Sequence, residues 1–146
     1  MKFKEYLISV NACEEAIIWN GERDIQTCWK ECQRGDWMLW LMKKASMCDL
    51  RTLTLAKARC AELAKPYMKD ERSIKALQAA FDFAEGRIGR EELDADAAAA
   101  DAAAAAADAA AAAYAADAAA YAAARIKIIK KCADICREVL PDPSIR

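Results

Sequence analysis

Four tryptophans, Trp19, Trp29, Trp37 and Trp40, fall within a span of the sequence that also holds Arg23, Arg34 and Asp36. Aromatic planes beside guanidinium groups are what bind nucleobases, phosphates or the anchor side chains of a protein partner. The same tryptophans are also the obvious source of buried area, so cleft and core remain open for each of them. A second set lies far downstream. Tyr114, Asp117, Tyr121 and Arg125 are spaced three or four apart, which on a helix puts them on one side. A carboxylate on that side needs a partner, either a tyrosine hydroxyl or an arginine of a neighbouring helix, or a ligand. The expected binding residues are therefore Arg34, Asp36, Trp37, Trp40, Tyr114, Asp117, Tyr121 and Arg125.

Catalysis finds little support. The chain has no histidine, which removes the usual general base, the commonest metal ligand and any Ser-His or Cys-His arrangement. Adjacent acids such as Glu14/Glu15 and Glu91/Glu92 read as solvated faces. Gly35, Gly86 and Gly89 are isolated and follow no strand pattern, so no phosphate-cradling loop is present. The seven cysteines include two pairs spaced four apart, Cys28/Cys32 and Cys132/Cys136. Four thiolates from two helices would suit zinc, but that spacing is longer than the common zinc knuckles, and reduced core thiols are the simpler expectation. The expectation is a non-enzyme with no cofactor and no metal.

The elements that must position these residues are helices. From Ala95 to Ala124 the chain is alanine apart from four aspartates and two tyrosines, and alanine is the strongest helix former. No Gly or Pro lies between Arg90 and Leu140, so one rod over that span would be roughly 75 Å long at ~1.5 Å per residue. Its inner face continues through Ile128, Cys132, Ile135, Cys136 and Val139, while Asp94, Asp101 and Asp108 recur on the opposite, solvated side. Upstream, shorter helices are predicted. Asn11 with Glu14 has the spacing of a capping box opening Ala12 to Trp19, and Gly21 ends it. Asp24 opens a helix to about Gly35, Asp36 caps Trp37 to Met47, and Asp49 caps Leu50 to about Ala64, with Leu53, Ala56, Cys60 and Leu63 inward. Asp70 to Glu85 carries Ile74, Leu77, Phe81 and Phe83. Lys2 to Val10 is either a helical turn or an extended arm. The expected fold is all-α: about five short helices packed around one or two long alanine-rich C-terminal helices. All of 1–146 forms one domain, with a Trp-rich half at 1–89 and the alanine-rich helix or helix pair at 90–140.

Charge narrows the partners. A net charge of −1 argues against a dedicated nucleic-acid binder. Residues 91–124 hold seven acids and no bases, while 125–146 hold six bases and three acids, a polarity that suits a helix dipole. The alanine run is too weakly apolar and too charged to span a bilayer, and no signal-peptide pattern opens the sequence, so a cytoplasmic protein is expected.

The run Ala12-Cys13-Glu14-Glu15-Ala16, Trp19, Gly21-Glu22-Arg23, Trp29, Cys32, Arg34-Gly35-Asp36-Trp37 and Leu39-Trp40-Leu41, followed by the Asp- and Tyr-punctuated alanines and the closing Cys-Ala-Asp-Ile-Cys-Arg, resembles the all-helical immunity proteins. These are attributed to bacterial polymorphic-toxin systems and also occur in phages. The resemblance implies a small cytoplasmic, non-catalytic protein that protects a cell by binding a cognate toxin or effector, with the acidic stretch 91 to 117 meeting a basic surface. The alternative is a phage-type sponge that sequesters a nucleotide immune signal in a cleft of Trp, Tyr and Arg. A concave surface rich in aromatics and cations favours the sponge, and a flat acidic face favours the toxin inhibitor. In either case an alanine face extending past the short helices would pair with a second copy, giving a homodimer.

Overall fold

The computed structural model describes residues 1–63, 65, 71–95 and 115–144, except for the side chains of 115–122, 124 and 125. Among them there are helices and no strands. In chain order these are α1 (Phe3–Ser9), α2 (Glu14–Asn20), α3 (Ile25–Glu31), α4 (Gly35–Lys44), α5 (Leu50–Glu62), α6 (Glu71–Ala84) and α7 (Ala115–Val139). A further helical segment covers 90–95. The expectation of one rod over 90–140 turns on residues 96–114, which lie outside the described residues.

The helix ends explain both agreement and correction. Asp24 and Asp49 cap α3 and α5 as expected, accepting from the backbone N–H of Thr27 and Thr52 at 2.7 Å each. Asn11 does not cap α2. It has φ 57° and closes α1 instead: its own N–H bonds Ile8 O at 3.1 Å and the Ala12 N–H bonds Leu7 O at 2.9 Å. That pair of reversed bonds is a Schellman closure, and asparagine is one of the few residues that accept the left-handed conformation it needs. The N-cap of α2 falls to Cys13, whose side chain makes no cap bond. The same closure ends α4 at Lys44 rather than Met47, through Ser46 at φ 51°, and ends α6 through Gly86 at φ 82°. Lys2 to Val10 resolves as helix, with Glu5 accepting from the Lys2 N–H at 3.1 Å.

Asp36 is the other correction. It sits inside the first turn of α4, and Arg34 holds the N-cap position. The helix starts early because Gly35 lies against α7: a Cβ there would stand 2.4 Å from the Cys132 Cβ and 2.8 Å from the Ala133 N. Only glycine permits that approach.

The core is built where α4, α5 and α7 meet, with α6 packed on α5. Met38, Leu41 and Met42 of α4 bury against Leu53, Ala56 and Cys60 of α5 and Cys132, Ala133 and Cys136 of α7. Ala56, Ala133 and Cys136 are fully enclosed, and such small side chains let helix axes draw close. In α6 the inward residues are Leu77, Ala79 and Phe83, while Ile74 faces solvent. The stripe is therefore shifted round from Ile74 towards Ala79 and Phe83. The anticipated inner face of α7 is present, with Cys132 and Cys136 buried and Ile128, Ile135 and Val139 packed against the core.

α3 packs along none of its neighbours as closely as those pairs do, yet two long-range contacts anchor it. The Arg137 guanidinium of α7 donates to Trp29 O at 3.0 Å and Cys32 O at 2.7 Å, satisfying carbonyls at the C-terminal end of α3. Gln26 donates to the carbonyl of buried Pro143.

Candidate functional site

The first four helices line a half-open cavity of about 430 Å³. Phe3 and Leu7 of α1, Ala16 and Trp19 of α2, Ile25 and Trp29 of α3, and Trp37, Met38 and Trp40 of α4 supply apolar walls, with Ala12 and Cys13 from the α1–α2 connection. Asp36 is the single acidic or basic residue on its surface. Its size and lining match those of small-molecule sites.

Two polar atoms of its wall residues are closed off from solvent and from the cavity. Asn20 is 1% exposed and Trp29 4% exposed, and both line the cavity. The Asn20 Nδ2 donates to Arg23 O at 3.0 Å and to Cys28 Sγ at 3.0 Å, but its Oδ1 accepts nothing; the Trp29 Nε1 likewise has no acceptor. Because Arg23 O can only accept, the amide orientation is set, and Oδ1 is left as the free acceptor. A buried polar atom without a partner costs about 1–3 kcal/mol.

Beside the cavity stands an aromatic and cationic ridge. Trp19 and Trp37 meet with ring centroids 6.0 Å apart at an interplanar angle of 58°. Arg23 lies over Trp19 at 4.2 Å and Arg34 over Trp37 at 4.4 Å. Each guanidinium is also ion-paired, Arg23 with Glu31, and Arg34 with Asp36 at 2.8 Å and Glu15 at 3.5 Å. Burial works against charge on Asp36, but the Arg34 guanidinium prevails and holds its pKa below the usual value. On the far side of the two tryptophans a second groove of about 880 Å³ runs between this ridge and α7, where Ile126, Ile129 and Lys130 complete it. Trp19 and Trp37 thus form a wall common to both spaces.

Four of the buried thiols are poor nucleophiles. Burial pushes Cys28 and Cys32 up, partly offset by hydrogen bonds from Asn20 and the Arg34 backbone. At Cys60 a hydrogen bond with Cys132 acts downward, but the Cys136 thiol and burial outweigh it, giving about 12. The hydrogen bond with Cys60, together with burial, also raises Cys132. Such groups stay protonated at neutral pH. Among the described residues no group of three or more Cys, Asp or Glu is arranged to hold a metal ion.

Of the residues expected to bind, Asp36, Trp37 and Trp40 line the cavity, and Arg34 and Trp37 line the second groove. Tyr114 and the side chains of Asp117, Tyr121 and Arg125 lie outside the described residues. Sequence reasoning missed Asn20, whose burial has no signature in a run of helix-ending residues, and Lys130 and Ile126, which the fold brings beside the tryptophans from far along the chain. Arg23 carried a signal as the cation nearest Trp19 in the sequence, just past the Gly21 helix end.

Comparison with protein-family models, with curated proteins and with solved structures yields no match to this chain. Among the described residues no helix is long and apolar enough to cross a membrane.

Proposed function

We propose that this protein is a non-catalytic binding protein that sequesters a small molecule with an aromatic body and an anionic group, the nucleotide class. The observation that carries this reading is the half-open aromatic cavity, sharing its tryptophan wall with a groove on which Arg23, Arg34 and Lys130 stand beside Glu15 and Glu31. Aromatic faces hold a planar ring, and guanidinium and ammonium groups attract phosphate. The absence of histidine and the raised pKa values of the buried thiols support a binding role rather than a chemical one.

Native mass spectrometry of the protein purified from its own cells tests this, followed by denaturing release and identification of what leaves. A stoichiometric nucleotide-class molecule is the expected result. A protein that carries none, and that takes up none when nucleotides are added at millimolar concentration, overturns the reading.

The second reading is an immunity protein that neutralises a toxin or effector by direct binding. Ile18 and Ile126, 71% and 70% exposed, would be among its contact residues. Under this reading Ile18→Asp or Ile126→Asp abolishes protection against the cognate toxin without lowering stability. Unchanged protection in both variants counts against it.

A further inference from the structure

We infer that the cavity between α1, α2, α3 and α4 prefers guanine among the nucleobases, and that the Asp36 carboxylate selects it by accepting from two N–H groups on one edge of the ring. The inference rests on the reading of this cavity as a nucleotide site and adds which base enters it and which residue decides. Among the described residues Asp36 is the only acid or base on the lining. The buried Asn20 Oδ1 and Trp29 Nε1 are closed off and read nothing, and Asn11 is exposed, where water competes with a ligand for its amide. Asp36 and Trp40 stand one helical turn apart on α4, and both line the cavity. With the Asp36 side chain 45% exposed and Trp40 38%, both reach its open side.

The carboxylate is charged and held in place. Arg34 Nε donates to its Oδ1 at 3.0 Å and Arg34 Nη2 to its Oδ2 at 2.8 Å. A carboxylate has about four lone-pair sites, so each oxygen keeps one free beside that pair of bonds. Burial works against the charge, but Arg34 outweighs it, and Asp36 is ionised at neutral pH. A ring edge beside it must therefore offer donors and keep acceptors away. Guanine offers two donors side by side, N1–H and the 2-amino group. Adenine and cytosine set one amino group beside a bare ring nitrogen, and uracil flanks its single base-pairing N–H with two carbonyls, so each turns a lone pair towards the carboxylate. Arg34 also lines the neighbouring groove, where Arg23 and Lys130 stand beside Glu15 and Glu31, and this places cations for the phosphate next to the carboxylate that meets the base.

Calorimetric titration of the full chain with GMP, IMP, AMP, CMP and UMP tests this, since the five share ribose and phosphate and differ only in the base. GMP is expected to bind at least about tenfold tighter than AMP, CMP or UMP, tenfold corresponding to roughly 1.4 kcal/mol. IMP keeps N1–H and lacks the 2-amino group, so it should fall between GMP and AMP. Asp36→Asn exchanges one acceptor oxygen for an amide donor, which suits a carbonyl in place of the 2-amino group. That variant should weaken GMP about tenfold and bind XMP, which carries such a carbonyl, more tightly than GMP. Mere loss of structure would not gain a ligand. Ala16→Phe, which fills the cavity from its wall, should abolish binding of GMP.

Equal affinity for GMP, IMP and AMP overturns the inference while leaving a nucleotide site that does not read the base. A guanine preference that survives Asp36→Asn unchanged overturns it by placing the ring away from that carboxylate. Binding that persists in Ala16→Phe overturns it by placing the nucleotide outside the cavity. Failure of every nucleotide to bind at millimolar concentration overturns both the inference and the reading beneath it. Should Asp36→Asn not fold, the order of nucleotides on the unmodified chain decides alone.

Discussion

Gly35 has no room for a side chain, because its Cα faces the backbone of α7 across a gap that a methyl group would close to 2.4 Å from Cys132 Cβ and 2.7 Å from Cys132 C. The contact is with backbone and a buried Cβ, neither of which can rotate away. Gly35→Ala is therefore expected to destabilise by about 1–3 kcal/mol, the usual range for overpacking, in urea denaturation. Gly89→Ala meets nothing within 4 Å and should stay within about 0.5 kcal/mol of the parent, so equal effects would remove the close-approach argument. The cysteines divide on the same principle. Cys13 is exposed, while Cys28, Cys32, Cys60, Cys132 and Cys136 are buried. A thiol-titrating reagent should modify Cys13 first and reach those five only on unfolding. Since Cys13 also lines the cavity, attachment of a bulky maleimide there should weaken binding of an added nucleotide. Undiminished binding would put that side chain outside the path of the ligand.

At the scale of elements, the caps show what the sequence made legible. Asp24 and Asp49 each stand before a Thr-containing first turn with no competing role, and both cap as read. Asn11 and Asp36 carry equally good cap chemistry, but each does another job. Asn11 is taken by the left-handed closure of α1, and Asp36 is drawn into the helix because Gly35 must touch α7. Local pattern cannot rank such uses, since the deciding contact with Cys132 comes from a distant part of the chain. The caps also set a pH dependence. Backbone N–H groups of Thr27 and Thr52 hold Asp24 and Asp49 below their ordinary value of 3.8. A carboxylate whose folded pKa is lowered contributes stability above its unfolded pKa and loses it as pH falls through the folded one. The melting temperature should thus be level near neutrality and decline below about pH 4. Asp49→Asn keeps a capping oxygen but no ionisable group, so its melting temperature should decline less steeply with acid than that of the parent. An identical decline would mean that Asp49 takes no part.

For the molecule as a whole, the all-α class and the Ile128–Val139 part of the α7 inner face were readable from periodicity, but the cavity was not. Nothing local distinguishes Trp29, whose ring is buried with its N–H unpaired, from Trp40, which is more exposed, and a buried Asn20 is indistinguishable in sequence from any helix-ending asparagine. The cavity and the core share Trp29, Cys32, Met38 and Leu41, and a further tie between them is Arg137. It lies on α7, yet it bonds the carbonyls of Trp29 and Cys32, and Asp134 steadies it at 2.8 Å. Trp29 and Cys32 are both cavity residues, so α7 holds the cavity wall through backbone bonds that no apolar substitute supplies. Arg137→Met preserves the aliphatic stem and removes the donors. It should cost about 1–2 kcal/mol, the lower part of the range for charge-assisted bonds because the group is partly exposed. The same variant should weaken binding of an added nucleotide, with Arg137→Lys intermediate, since Nη1 serves both carbonyls while Nη2 bonds Asp134, and lysine keeps the charge but has no second nitrogen for Asp134. A loss of stability with cavity affinity intact would reduce Arg137 to a helix cap. Loss of both would make α7 the element that sets the shape of a cavity it does not itself line.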